Sequence, residues 1–353
     1  MMHIRLVMLS ASLGTLVAPA GTALAAPRPH PVEARPAADA DPPPDTPLER
    51  YLDARQGPEE TDNLVREFTV GATGALDLSN ISGDVQVNGS NGSAIRIEAT
   101  RRVRHRDAGE ARRLLDQLRV EMTQVGDRVE VRTVYPRRGE RGTSARVDYV
   151  ITVPARAAVA VKTISGDSRV ERVSGEVRAE SVSGDVRVTA TPNVALAKTV
   201  SGNVTARDIG GASSLSLGSV SGNVVATGVK ARSLDCGSVS GDIQLSGVEV
   251  ERLQAKSVSG DLEFAAALAR GGRYEFGSHS GDVRVVLGSD TGFELDASTF
   301  SGSVRSDFPV TLRSDGSSRN RRGASRSVRG SYGDASAILA IQTFSGSVVI
   351  SRK

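Results

Sequence analysis

The chain has 353 residues, with 44 lysines and arginines against 41 acidic residues, a net charge of +3. Balanced charge argues against a polyanion gripped by the whole surface. An aromatic content of 3% with no Trp leaves few flat faces for stacking sugars or unpaired bases, so nucleic acid is not an expected partner.

The chain opens on an export pattern. Met1-Met2-His3-Ile4-Arg5 is a short basic start, "LVMLSASLGTLVAPAG" an apolar centre, and Ala23-Leu24-Ala25 a small-x-small cleavage site. Residues 1–25 therefore read as a signal peptide. A membrane anchor needs roughly 20 uninterrupted apolar residues, and Gly14, Pro19 and Gly21 interrupt this run. The expected location is outside the cytoplasm, periplasmic or extracellular, with the chain soluble after cleavage. Residues 26–65, rich in Pro and Ala at their start, read as a linker. The lone Cys236 precludes an internal disulfide, so core packing and backbone pairing must hold an exported fold together.

Residues 66–162 read as entry strands with an insert. "REFTV", "GALDLSNISGDVQVNG" and "SAIRIEATRRV" alternate apolar and polar residues, as half-buried strands do. In "DAGEARRLLDQLRVEM" the period changes, and Ala111, Leu114, Leu115 and Leu118 share one helical face. Asp107 with Glu110 predicts a capped helix over 108–119. "VEMTQVGDRVEVRTVY" predicts a hairpin turning at Gly126-Asp127, and "ARVDYVITVPA" a strand ended by Pro154.

Residues 163–353 are dominated by a repeat, V-S-G-D-V or a near variant. Its glycines are Gly166, Gly175, Gly184, Gly202, Gly222, Gly241, Gly260, Gly281, Gly302 and Gly346, with an earlier copy at Gly83. The steps from Gly184 to Gly302 stay near 20, the signature of stacked supersecondary units. The first two steps, of nine residues, suggest a rung with two related halves. The last, of 44, suggests two rungs or one rung plus an insertion. Apolar residues recur seven and five positions before the glycine (Leu215, Leu234, Leu253; Leu217, Cys236, Ala255), two before it (Val182, Val200, Val220), and two and four after it (Val204, Val224; Leu245, Phe264). All five columns are expected to point inward. The predicted fold is all-β, a parallel β-solenoid of successive rungs, with one short amphipathic helix and a hairpin in the N-terminal part. Gly166, Gly184, Gly202, Gly222, Gly241, Gly260, Gly281, Gly302 and Gly346 are the predicted corners. Glycine tolerates a tight bend there, and flanking Ser and Asp or Asn can bond exposed backbone.

"LDLSNISGDVQVNG", the helix-plus-hairpin insert, "VDYVITVPARAAVAVKTISGD" and the serial "SVSGDV" corners together resemble the DUF4097 (Toastrack-like) family of bacterial exported proteins labelled adhesins. The resemblance spans about residues 66–353. It implies a right-handed parallel β-helix in or near the bacterial envelope, and it brings no catalytic motif with it.

Four candidate sites remain. The column Asp84, Asp167, Asp185, Asp242, Asp261 and Asp282 could hold calcium, but Asn203, Asn223, Ser303 and Ser347 interrupt it, so turn chemistry is the preferred reading. The corner serines and acids recur with the fold period, and only His105 and His279 lie in the folded part, so no local catalytic constellation is expected. Cys236 falls in an inward column. The last is the basic insertion at 312–334, read as a loop, whose Arg313, Arg319, Arg321, Arg322, Arg326 and Arg329 suit anionic envelope polymers, lipid head groups or an envelope protein. No cofactor or metal is expected. The expected function is a non-enzymatic, envelope-associated binding or adhesin-like module. The alternatives are a carbohydrate-active β-helix enzyme, such as a polysaccharide lyase or hydrolase, and a structural or sensory component of an envelope-stress system.

Overall fold

The computed structural model describes residues 57–136, 143–288, 291–312 and 326–353. The expected signal peptide, most of the linker, and Arg313, Arg319, Arg321 and Arg322 lie outside them. None of the described helices is long and apolar enough to cross a membrane.

Strands form two sheets, of 13 and 14 members, whose inner faces share one hydrophobic core. The Gly184 rung shows the unit. Val177–Ser183 runs in one sheet, the chain turns at Gly184-Asp185, and Val186–Thr189 runs in the other. The first sheet, the long-strand sheet, receives the longer strand of each repeat rung. Rungs pair in parallel with like residues in register: Val186 beside Val204, Val204 beside Val224, Val224 beside Ile243. One rung cannot cover its own apolar face, so stacking supplies the stability.

Four of the five apolar columns point inward as expected: Leu215, Leu217, Cys236, Leu253, Val224 and Phe264 are all buried. The fifth is a correction. Ile164, Val182, Val200, Val220, Val239, Val258, Phe300 and Phe344 are 45–57% exposed. The reason is strand parity. Successive side chains alternate faces, so positions seven, five and three before the glycine share the inner face and position two faces out. The inner place at position three is taken by Ser or Thr (Ser181, Thr199, Ser219, Ser238), buried though polar.

The glycines form one column, but not in chain order. At one end the Gly83 rung (Ala75–Ser82, Val85–Ser90) lies between a rung made of Arg128–Val134 and Ser144–Pro154 and the Gly166 rung (Ala158–Ser165, Ser168–Glu171). At the other end the last rung in sequence, Ala337–Ser345 with Val348–Arg352, inserts between the Gly281 rung and the Gly302 rung. Strictly successive stacking is therefore corrected at both ends. The 44-residue step is one rung plus an insertion. Gly175 is no member of the column; it sits at the opposite turn, where an added Cβ would lie 2.1 Å from the Ala157 carbonyl oxygen.

Antiparallel strands close the ends. Glu59–Thr69 pairs with Ala94–Arg104, which pairs with Ser144–Pro154. Arg119–Val125 pairs with Arg128–Val134 as the predicted hairpin. At the far end Arg326–Tyr332 covers Phe293–Ser301. Such covers blunt edges that would otherwise recruit other chains. Two boundaries move as a result. The linker was expected to reach residue 65, yet the strand begins at Glu59, because Glu59 and Asp62 pair with Arg104 and Arg101 across the ladder. The basic insertion was expected to be a loop throughout, yet 326–332 is strand. Tyr332 packs there on Phe293 and Phe308, an anchor that the Ser- and Arg-rich composition conceals.

The helix is Ala108–Gln117, and the Asp107 side chain accepts the Glu110 N–H at 2.8 Å. Ala111, Leu114, Leu115 and Leu118 are buried, as the periodicity predicts. The nearby basic run 101–106 is engaged in pairing: Arg101 with Asp62 and the Leu118 carbonyl, Arg102 with Asp148, and Arg104 with Glu59.

Candidate functional site

Two interactions lock each corner to the next. The first is a side-chain ladder. From Asp148 through Asp84, Asp167, Asp185, Asn203, Asn223, Asp242, Asp261 and Asp282 to Ser347, each Asp or Asn Oδ1 accepts the backbone N–H of the equivalent residue one rung on, at 2.7–3.0 Å. Both Asp and Asn offer that oxygen, which is why they interchange here. The second is a buried hydroxyl. Thr199, Ser219 and Ser238 donate to the carbonyls of Gly184, Gly202 and Gly222 at 2.9, 2.8 and 3.1 Å. These carbonyls also explain the glycines. A Cβ on Gly241, whose φ is +152°, would lie 2.2 Å from the Gly222 oxygen. The repeat motif is thus spent on stacking.

What stacking does not consume is the outward column. In spatial order it reads Ile81, Ile164, Val182, Val200, Val220, Val239, Val258, His279, Phe344, Phe300, one residue per rung. Rungs about 4.8 Å apart make this a ridge roughly 43 Å long. It ends in a stack: His279 lies flat on Phe344 and Phe344 flat on Phe300, each pair with centroids 4.9 Å apart.

Beside the ridge runs a groove whose floor is the column two residues earlier, including Lys198, Gly218, Gly237, Lys256 and Gly277. It holds two neighbouring hollows. One, of about 330 Å³, lies around Gly218, Val220 and Gly237; the other, of about 520 Å³, lies around Val258, Gly277, His279, Phe344 and Phe300. These floor glycines differ from the corner ones. Gly218, Gly237 and Gly277 lie within strands, without positive φ, and a Cβ on Gly237 would meet nothing within 4 Å. Glycine inside a strand costs about 0.5–1 kcal/mol relative to alanine. At Gly237 its effect is an open floor, while at Gly218 and Gly277 it leaves room for the Lys198 and Lys256 stems.

The remaining candidates separate. Cys236 is fully buried beneath the floor, and burial holds its thiol far above the usual range. His105 accepts the Asp107 N–H through Nδ1 at 3.1 Å, next to the helix cap, while His279 belongs to the ridge. Arg329 meets Asp296 at 3.2 Å, and Arg326 pairs along the backbone with Thr299, one residue from Phe300. The basic segment therefore rejoins the described chain beside the aromatic end of the ridge. The ridge itself was missed from sequence because its valines were assigned to the core. Its signal was the odd spacing: two before the glycine cannot share a face with five and seven before it.

A family model described as Toastrack DUF4097 matches residues 192–351. This part of the chain is similar to the Toastrack family. The Toastrack region contains the ridge from Val200 onward, both hollows and the out-of-order final rung. No curated protein matches the chain in sequence. Among solved structures, a "putative adhesin" from Bacteroides fragilis is 10% identical with a TM-score of 0.40, over 82% of this chain and 97% of that one. A "putative lipid binding protein" from Parabacteroides distasonis is 12% identical with a TM-score of 0.40, over 82% and 96%. A "putative adhesin" from the same species is 11% identical with a TM-score of 0.36, over 83% and 97%.

Proposed function

We propose that this protein is a non-enzymatic, exported, envelope-associated binding module of adhesin-like type, and that it docks partners through the outer face of its long-strand sheet. The ridge carries this reading. Threonine would keep the β-branch that suits a strand without presenting so apolar a surface, yet none of the ten ridge positions is Thr. A continuous apolar line of this kind is a contact surface. The export-type start supports placement outside the cytoplasm. The arginines of 313–329 add a second contact in this reading, for anionic polymer or lipid head groups, because Arg326 brings the basic segment back beside Phe300.

The test is co-sedimentation with isolated bacterial envelopes. Replacing Val200, Val220, Val239 and Val258 together by Thr should leave the melting temperature within a few degrees of wild type and reduce retention. Replacing Arg319, Arg321 and Arg322 by Ser should reduce retention chiefly at low salt, since exposed charges are screened over about 10 Å at 0.1 M. Undiminished retention of both variants overturns the assignment of contact to this face.

A further inference from the structure

The ridge and the groove lie side by side on one face and repeat with the same rung spacing. This is the geometry of a self-complementary surface. A two-fold axis parallel to the solenoid axis, passing between the two columns, would seat each copy's ridge in the other's groove. Like rungs would face each other, so that Val239 of one copy comes over Gly237 of the second, and Val220 over Gly218. Three observations favour a second copy as the occupant.

The first is the placement of the knobs and holes. Where the floor is Gly218, Gly237 or Gly277, the ridge residue of the same rung is Val220, Val239 or His279. Lys198 and Lys256, below Val200 and Val258, bound the Gly218–Gly237 stretch, so an arrangement that brings like rungs together puts Val220 and Val239 over these glycines and the lysine stems to either side. The second is area. Nine ridge residues at 43–57% exposure offer roughly 800 Å² of surface, close to the per-partner share of a standard interface, about 800 Å². The third is charge. Lys162 and Lys256 flank the ridge on the groove side, and Asp167 and Asp261 line the corner on its other side, in the same two rungs. The two-fold brings Lys256 toward the opposite copy's Asp261; Asp167 is already paired with Arg187 at 3.0 Å, and the Glu180 rung, which carries Asp185, adds no such attraction. The lysine stems already lie along the floor: a Cβ on Gly218 or Gly277 would come within 3.5 or 3.6 Å of Lys198 or Lys256 carbons.

We infer that the chain self-associates as a parallel two-fold dimer, ridge into groove, centred on Val220, Val239, Gly218 and Gly237. This rests on the same docking face as the proposed function and names its occupant.

Sedimentation equilibrium on the chain lacking only its expected export signal should give twice the monomer mass at about 100 µM. Val220→Glu with Val239→Glu should restore monomer mass. Gly237→Leu should do the same while melting no lower than wild type as a monomer, because its Cβ enters open space. Gly237→Cys with Val239→Cys should give a disulfide-linked dimer on mild oxidation, and Cys236 is buried out of reach. A wild-type monomer at that concentration overturns the dimer. So does a dimer that survives both the glutamate and the leucine variants, which would place the contact elsewhere. A wild-type monomer that still sediments with envelopes, and loses this in the threonine variant, assigns the ridge to another partner and leaves the proposed function standing. A monomer that binds no envelope removes both.

Discussion

The carboxylate of Asp242 accepts the backbone N–H of Asp261, one rung on, at 2.9 Å. Asp242 in turn gives its own N–H to Asn223, again at 2.9 Å. The corner is therefore held by a chain of side-chain acceptors running along the solenoid as well as by its backbone ladder.

Removing the acceptor should be felt, and changing its charge should not. Asp242→Ala leaves the Asp261 N–H without its partner and should cost about 1 kcal/mol in urea unfolding. Asp242→Asn should lie within a few tenths of wild type, since Asn203 and Asn223 already perform the same role. Calcium or a chelator should leave the melting temperature unchanged. A large calcium-dependent rise would mean that the carboxylates hold a cation, because a ligand specific to the native state must stabilise it.

Gly241→Ala should be much more costly than an ordinary surface substitution. The new Cβ meets the Gly222 carbonyl oxygen at 2.2 Å, and φ is +152°. A backbone oxygen held by the neighbouring rung cannot turn aside, so the expected loss is about 3 kcal/mol. Gly237→Ala, in the same rung but on the open floor, is the control and should be neutral or slightly stabilising.

Thr199→Val keeps the shape but removes the hydroxyl that donates to Gly184 at 2.9 Å. It should destabilise by about 1 kcal/mol, the usual net cost of leaving a buried carbonyl unpaired. Thr199→Ser should recover most of it. Equal stability of the valine and serine variants would show that the carbonyl is satisfied some other way.

Alkaline pH should weaken the fold through its tyrosines. Burial pushes Tyr135 up to about 12, raises Tyr149 further and raises Tyr274 as well. Unfolded tyrosines ionise near 10. Between about pH 10 and 12 the unfolded chain therefore loses protons that the folded chain keeps, and stability falls as pH rises. The urea midpoint should be insensitive to these groups below pH 9 and decline above pH 10. Cys236, raised by the same burial, should resist thiol reagents at pH 8 until the protein unfolds.

Much of the architecture is legible in the residues, for a specific reason. Leu215, Leu234 and Leu253 share an inward column because parallel stacking repeats one environment at every rung, so the period of the sequence is the period of the structure. The helix is legible because Asp107 and the Ala111–Leu118 face are local signals. The ridge was misread because valine is equally at home in a core and on an exposed strand; only the parity of Val182 against Ala179 and Val177 separates the two. The groove escapes pattern reading altogether. Gly237 and Gly241 are the same residue type, and only their surroundings show that one is compelled by a neighbouring carbonyl and the other is not. The order of rungs is also hidden, because every rung presents nearly the same edge and any two would pair.

The displaced last rung bears on how the molecule is completed. Residues 337–352 do not simply add a layer at the tip; they separate the Gly281 rung from the Gly302 rung. A layer later in sequence than the Gly302 layer thus becomes an internal one, and the Gly302 layer has its parallel neighbour only once residues 337–352 have threaded beside it. Assembly that began in the middle could spread along local contacts, whereas this closure joins Gly281 to Gly346 across a long sequence separation and is the natural slow event. Loss of residues 337–353 would then do more than shorten the solenoid: it would open a gap inside it, with the covered tip stranded beyond. Residues 337–352 act as a wedge between two layers that precede them in sequence.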